Sequence, residues 1–532
     1  MHRKKLTYSL LLLLSLLSII FRYPQENHEN GIDGLLMHTL SNTIMINGNI
    51  GWFINIFSLI GFYPFSYASG FLVLIPSMSQ VLGISTEMTI LFAAISLGVF
   101  GIFASFMMAR EISTRVEFVF LVCFFFSVSP LFIRFTSWQA STRTIFIAFM
   151  PIWIWLSLKI YNVNYQRVRL GILITIITVL MLTFHRVANL LFLPFLAYLV
   201  SALVVYYYHR LTYYQRAIHY LRFTWFLIII VLMLSQAYRI GIYEDYNLGQ
   251  KYESGRFLEG VDGHIILINM FIDYGSRTGI FSVVCLLGTL FIMFKSNTKI
   301  FVRLFLLNSI ILFAGIITLG LYATLVLLPF ICILMAYGFI RILEFYNLRG
   351  NYKKIFFAVI VVISLLFTNF MLSTWGTYGS TINDDEYDVG IYINEYVDKN
   401  ITLVSDGDWA AKIFTISDSQ YMMDDSSPLP MAYGWLDEDY TSTTFNFSDV
   451  LVRKTILESA GSTDFEEYWE DLSLRIYSDT ADSSQFEREI FNIKYALNHK
   501  NVIDNEYLLI ASSRESRYSV FENCEIEIYY IG

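Results

Sequence analysis

Residues 88–109 read MTILFAAISLGVFGIFASFMMA, twenty-two positions without a charge, closed by Arg110. At 1.5 Å per residue such a run spans about 30 Å, the thickness of a bilayer's hydrocarbon core. Working outward, similar uncharged runs cover Leu6–Phe21, Phe118–Ile133, Thr144–Leu158, Leu170–Phe184, Val187–Tyr208 and Phe223–Tyr238. They continue at Thr278–Phe294, Leu304–Leu321, Ala323–Ile340 and Ile355–Leu372. The reading is a polytopic α-helical membrane protein of about eleven transmembrane helices. Composition agrees: 56% of the 532 residues are hydrophobic and only 15% are charged, more apolar surface than a soluble domain can hide. Several runs are short, so tilt or protein contacts must help them span. Leu6–Phe21 has the basic flank and short core of a signal peptide, but Arg22-Tyr23-Pro24 offers no small-residue cleavage site, so it is read as a retained first helix.

Lys and Arg in short loops stay cytoplasmic, which fixes the expected orientation. With the N-terminus inside, eighteen basic residues fall in cytoplasmic segments and eight in outer loops. This alternation requires that Ser66–Leu82, which is apolar but interrupted by Pro76, rests against the outer face without crossing. Residues 1–373 carry 26 Lys and Arg against 13 Asp and Glu, whereas residues 374–532 carry 10 against 31. The second segment is therefore expected to form an acidic extracytoplasmic α/β domain, on the outer side of the cell membrane. Its expected elements include a helix at Asp388–Val397, a strand at Ile401–Ser405, a strand at Lys494–Leu497 and a hairpin over Tyr518–Tyr530. Cys123, Cys285 and Cys332 lie in apolar runs and Cys524 stands apart, so neither a disulfide framework nor a thiolate metal cluster is expected.

The first external loop, residues 22–83, is far longer than ordinary connections, and loops of that size tend to be functional. It contains Ile32-Asp33-Gly34-Leu35-Leu36-Met37-His38 and then Tyr63-Pro64 followed by Gly70. Beyond it come Ser129-Pro130-Leu131-Phe132, Trp138-Gln139 and Arg143. A carboxylate just outside the first membrane helix, an amphipathic segment and a Tyr-Pro turn resemble the GT-C superfamily of membrane glycosyltransferases. Within it the resemblance is to oligosaccharyltransferase catalytic subunits and protein mannosyltransferases, in particular the archaeal members.

That resemblance implies transfer of a sugar or short glycan from a polyprenyl-phosphate-linked donor to a protein or lipid acceptor on the outer face, with inversion. A lipid phosphate departs readily as an anion, so the least apparatus is one carboxylate to activate the acceptor and several cations to hold the phosphate. Asp33 is the candidate base. Arg143, His185, Arg186, Arg239, Arg256 and His38 are the candidate substrate-binding residues. Other readings of the same residues are plain: Asp33 can cap a helix, Arg143 can snorkel to headgroups, and Glu26 and Glu29 read as solvated. The chain departs from the oligosaccharyltransferase pattern at Arg134–Gln139, where that family has an acidic motif, and it lacks the Trp-Trp-Asp-Tyr-Gly motif. No metal or other cofactor is therefore expected. A glycan polymerase or ligase, and a transporter or flippase of lipid-linked components, are the alternatives. A transporter would carry ionisable residues inside its helices and a repeat between its halves.

Overall fold

The structure is a computed structural model. It describes residues 2–24, 27–31, 34–35, 37–38, 41–42, 45, 70–139, 141–163, 165–208, 274–294, 299–314, 320–375, 382, 384–396, 402–405, 415–416, 422–424, 493–499, 518–522 and 526–530. The expected span Phe223–Tyr238 and the residues Asp33, Arg239 and Arg256 lie outside the described residues.

The described helices are α1 (His2–Arg22), α2 (Gly70–Leu82), α3 (Thr86–Ile112), α4 (Val116–Ser127), α5 (Pro130–Thr136), α6 (Thr142–Asn162), α7 (Arg167–Phe184) and α8 (Phe192–Tyr208). They continue with α9 (Val284–Phe294), α10 (Ile300–Ala314), α11 (Gly320–Phe345), α12 (Gly350–Trp375) and α13 (Asp384–Tyr396). Among them six are long and apolar enough to cross a membrane, and the pair α4 and α5 makes a seventh if counted as one span. The chain is a multi-pass membrane protein. The eleven uncharged runs do not map one to one onto these helices. The run Phe118–Ile133 is broken, with α4 and α5 meeting at 52°. Pro130 sits at the first position of α5, and a proline disfavours helical backbone in the residue before it, so the bend falls at Val128–Ser129. The run at Val187 begins as a 3-10 helix, Arg186–Leu191, before α8 continues it. Helix α2 has thirteen residues, about 20 Å at the ordinary rise, which is shorter than the hydrocarbon core.

Aromatic packing and backbone approach both shape the bundle. Trp153 meets Phe195 edge to face at 4.6 Å, and its Nε1–H donates to Thr178 Oγ1 at 3.2 Å. Tyr161 stacks on Phe301 at 3.6 Å. Helices α9 and α11 touch backbone to backbone: a Cβ on Gly288 would lie 1.8 Å from the Leu334 carbonyl oxygen, and one on Gly338 2.5 Å from that of Val284. Small residues at such crossings let helices approach where lipid supplies no hydrophobic drive for association. Helix α11 is enclosed by its neighbours, whereas α12 turns most of its surface outward.

One end of the bundle gathers the basic residues. Arg115 bonds Glu344 at 2.6 Å, Lys353 pairs with Glu117, Lys159 bonds Glu111 at 3.3 Å, and Lys299 reaches Asn162 at 2.9 Å. The opposite end receives the C-terminus of α1, the N-terminus of α3 and the α4–α5 turn. Arg22 belongs to α1 and is not a loop residue as the sequence suggested. It is 1% exposed, donating to Thr136 Oγ1 at 2.8 Å and to Ser18 Oγ at 2.8 Å, over the ring of Phe132.

After α12, helix α13 buries Val389 and Ile393. The strands β1 (Thr402–Ser405), β2 (Met422–Asp424), β3 (Ile493–His499), β4 (Tyr518–Glu522) and β5 (Ile526–Tyr530) form a mixed sheet in the order β2-β1-β3-β5-β4. β1 runs parallel to β2 and β3, and β5 runs antiparallel to β3 and β4, with Glu522 opposite Glu527.

Candidate functional site

At the end opposite the basic cluster, the first long loop folds back onto the start of α3. Ser85 caps α3, its hydroxyl accepting from the Met88 N–H at 3.3 Å, and this sets Glu87 in the first turn. The Glu29 N–H donates to Glu87 Oε1 at 3.1 Å, and the Trp138 indole N–H donates to the Glu87 carbonyl at 3.1 Å. Two segments far apart in the chain also meet here. The Asn30 N–H donates to the Trp138 carbonyl at 3.1 Å. Gly31 has φ +93°, and a Cβ there would lie 2.3 Å from Gln139 Nε2. Only glycine combines this backbone with so close an approach. The Gly31 carbonyl then accepts from the Gly34 and Leu35 N–H groups at 2.8 and 2.9 Å, which turns the chain into a helical stretch.

That stretch delivers His38 back to Glu29. His38 Nδ1 and Glu29 Oε2 are 2.7 Å apart, with the side chains 7% and 1% exposed. The expectation that Glu29 is solvated is therefore wrong. A carboxylate can be buried when a hydrogen-bonding, chargeable partner faces it, and the fold supplies one nine residues later. A second histidine, His28, stacks on Tyr387 of α13 at 3.9 Å, with Nδ1 3.6 Å from Glu87 and Nε2 3.9 Å from Asp384. The Asn27 amide donates to Asp384 Oδ1 at 3.0 Å and the Asn42 amide to the Thr415 carbonyl at 3.3 Å, so the segment after α12 closes over the loop. Burial and, next, the charge of Glu87 raise the pKa of the Tyr387 phenol above its ordinary value.

Between these walls lies a cavity of about 430 Å³, lined by Glu29, His38, Asn42, Glu87 and Tyr387 among others. Its volume falls within the range of small-molecule sites. Among the described residues no group of three or more His, Cys, Asp or Glu side chains could hold a metal ion.

Of the other candidates, Arg143 and His185 sit at the same end and are not among the residues that line this cavity. Arg143 lies in the first turn of α6, its guanidinium 5.2 Å from the ring centre of Phe135. His185 caps the 3-10 helix, its Nδ1 accepting from the Val187 N–H at 2.9 Å, which places the proton of the neutral ring on Nε2. Arg186 follows in that helix, and its side chain lies outside the described residues. One apolar cluster ties these positions together: Met37, Phe71, Trp138, Ile145 and Phe184 pack in it, next to His38, Gln139, Arg143 and His185 in the chain. The sequence reading missed Glu87, Tyr387 and Asp384 as parts of the site, and it considered His28 only as a metal ligand beside His38 and Asp33. A signal for Glu87 was present, since a carboxylate after a Ser-Thr cap opens an apolar helix directly behind the long loop.

No protein-family model matches the sequence, and no curated protein matches it. Solved structures do share its fold. The archaeal oligosaccharyltransferase AglB from Archaeoglobus fulgidus, in complex with an inhibitory peptide and a dolichol-phosphate, is similar with a TM-score of 0.57. The identity is 13%, over 96% of this chain and 71% of that one. The same enzyme tethered with an acceptor peptide containing the NVT sequon gives a TM-score of 0.57 at 13% identity, over 96% and 70% of the two chains. ArnT from Cupriavidus metallidurans bound to undecaprenyl phosphate gives 0.53 at 14% identity, over 100% of this chain and 98% of that one.

Proposed function

From the fold of the GT-C membrane glycosyltransferases, we propose that this chain transfers a sugar or short glycan from a polyprenyl-phosphate-linked donor to a protein or lipid acceptor at the outer face. The observation that carries this reading is the cavity at the end of the bundle where the long loop folds, walled by the buried Glu29–His38 pair.

The division of charge supports separate places for acceptor and phosphate. Residues 23–109 contain no Lys or Arg, so the loop that walls the cavity brings no cation other than histidine. An anionic lipid phosphate is better held by Arg143, His185, Arg186, Arg239 and Arg256, and the acceptor by the cavity. His185 suits the first task, because an Nε2–H is a donor for a phosphate oxygen. Asp33 serves as the base: its carboxylate takes the proton of the acceptor as the acceptor attacks the anomeric carbon opposite the leaving phosphate, which inverts that centre. The chain holds its donor without a metal, the developing phosphate charge being met by guanidinium groups.

The test is transfer of labelled sugar from synthetic glycosyl polyprenyl phosphates by membranes containing the protein. Label is expected in a protein or lipid product. Membranes that consume no such donor, across a panel of sugars and both phosphate and diphosphate linkages, would sink the reading.

A further inference from the structure

We infer that the cavity seats a lysine side chain, with its ammonium on Glu87 and its methylene stem along the apolar wall. That this lysine belongs to the acceptor rests on the glycosyl-transfer reading; that it binds does not. The cavity has two kinds of wall. Met45, Ile84, Ile382 and Ile416 supply apolar surface, and Glu87 and Tyr387 supply polar groups beside it. A long apolar stem that ends in a single charge satisfies both. The sign of that charge follows from the lining. Glu29 and Glu87 are its carboxylates, and no Lys or Arg is among the described residues that line it. Glu29 already faces His38 at 2.7 Å, which leaves Glu87 as the charge open to a ligand. Helix α13, which brings Tyr387 to the cavity, carries Asp384, Asp385, Glu386, Asp388 and Glu395 and no Lys or Arg. A wall of that charge draws cations towards the opening.

The choice between the two common cations follows from which oxygen is open. Glu87 Oε1 accepts from the Glu29 N–H at 3.1 Å, and it is also the oxygen that His28 Nδ1 approaches, at 3.6 Å. Among the described residues nothing bonds Oε2. A guanidinium binds a carboxylate best through both oxygens at once, whereas an ammonium is a point charge that one oxygen can hold. Tyr387, close enough to feel the charge of Glu87, offers its hydroxyl as a second acceptor. An ammonium has no lone pair, so this lysine is a handle for recognition and not the atom that receives the sugar. The nucleophile stands elsewhere on the same polypeptide. An ethanolamine lipid headgroup fits less well, because its phosphate would arrive with the amine at a wall of carboxylates.

The experiment measures binding of small amides to the purified intact chain in detergent, by ligand-observed NMR and with no donor present. The probes are the Nα-acetyl methylamides of lysine, norleucine and arginine, and glycerophosphoethanolamine. Lysine is expected to bind about tenfold more tightly than norleucine, the worth of one hydrogen bond to a charged group. It should also bind more tightly than arginine and glycerophosphoethanolamine. Glu87→Gln keeps an oxygen for the Glu29 N–H but removes the charge, and should bring lysine down to the level of norleucine. Tyr387→Phe keeps the ring and removes the hydroxyl, so it should weaken lysine and leave norleucine unchanged; it serves alone if Glu87→Gln does not fold. Equal binding of lysine and norleucine by the wild type overturns the inference. So does a lysine preference undiminished in the folded variants, or arginine or glycerophosphoethanolamine bound as tightly as lysine. None of these results bears on sugar transfer, which is assayed with donor. A protein that binds lysine and transfers no sugar overturns only the assignment of that lysine to the acceptor.

Discussion

Burial decides what single residues can do here. Asp33 and Glu29 are both carboxylates of one loop, and the sequence offers no means of telling a base from a buried anchor. The test for Asp33 uses the difference between capping and proton transfer. Asn caps helices as well as Asp does but cannot accept the proton, so Asp33→Asn is expected to fold normally and lose transfer by about 10²–10⁴-fold. A helix cap would behave the other way, with Asn close to wild type and Ala chiefly lowering stability. Turnover and thermal midpoint of both variants, measured together, separate the two roles. Arg22 gives a second prediction. Its guanidinium joins α1 to α5 through Thr136 and to its own helix through Ser18, and nothing of it is left to solvent. Arg22→Ala should therefore destabilise the protein by about 1.5–3 kcal/mol, the usual worth of hydrogen bonds to a charged group, read as a lower thermal midpoint in detergent. An unchanged midpoint would show that the contact contributes nothing net.

Helices fit together through features that hydropathy does not encode. The run Leu170–Phe184 reads well in advance because a stretch of apolar residues has one stable solution in lipid. The break between α4 and α5 follows from Ser129-Pro130, legible as a proline but not as a 52° bend, since its angle depends on what packs against both halves. The α9–α11 crossing is harder still. Gly288 and Gly338 are two glycines among 29, and only the approach of the two backbones singles them out. Gly338→Val should push α9 and α11 apart and cost about 1–3 kcal/mol or more, seen as a reduced yield of monodisperse protein. Gly279, with open space around its Cβ position, is a weaker control because its φ of +117° carries backbone strain of its own. Gly275, where the nearest neighbour is 3.5 Å away, is the better one, and Gly275→Ala should be well tolerated.

For the molecule as a whole, the expected orientation follows from charge. In the expected topology eighteen basic residues fall to one side against eight to the other, and ion pairs of Arg115, Lys159 and Lys353, with a hydrogen bond from Lys299 to Asn162, join helices at a shared end. We expect that end to be cytoplasmic, with residues 374–532 outside. In intact cells a cysteine placed at Ser380 should react with an impermeant thiol reagent, whereas one in 208–222 should react only after permeabilisation. Labelling of the Ser380 position only after permeabilisation would reverse the topology and, with it, the side on which the cavity opens.

The amino-acid sequence by itself determined that the chain lives in a bilayer, and it pointed to residues 32–38 and 138–139 as the place to look for a site. Those properties are local: twenty apolar residues, a proline or a charge act through their immediate neighbours. Tertiary structure alone decided that the start of the long loop touches residues 138–139, with Asn30 on the Trp138 carbonyl and Gly31 against Gln139. It also turned Glu29 from a solvated loop residue into a buried partner of His38, and brought Asp384 and Tyr387, some 350 positions along the chain, to His28. The physical reason is that the cost of burying a charge depends on which partner the fold delivers, and nothing in the spacing of a loop names a partner that lies beyond the next helix.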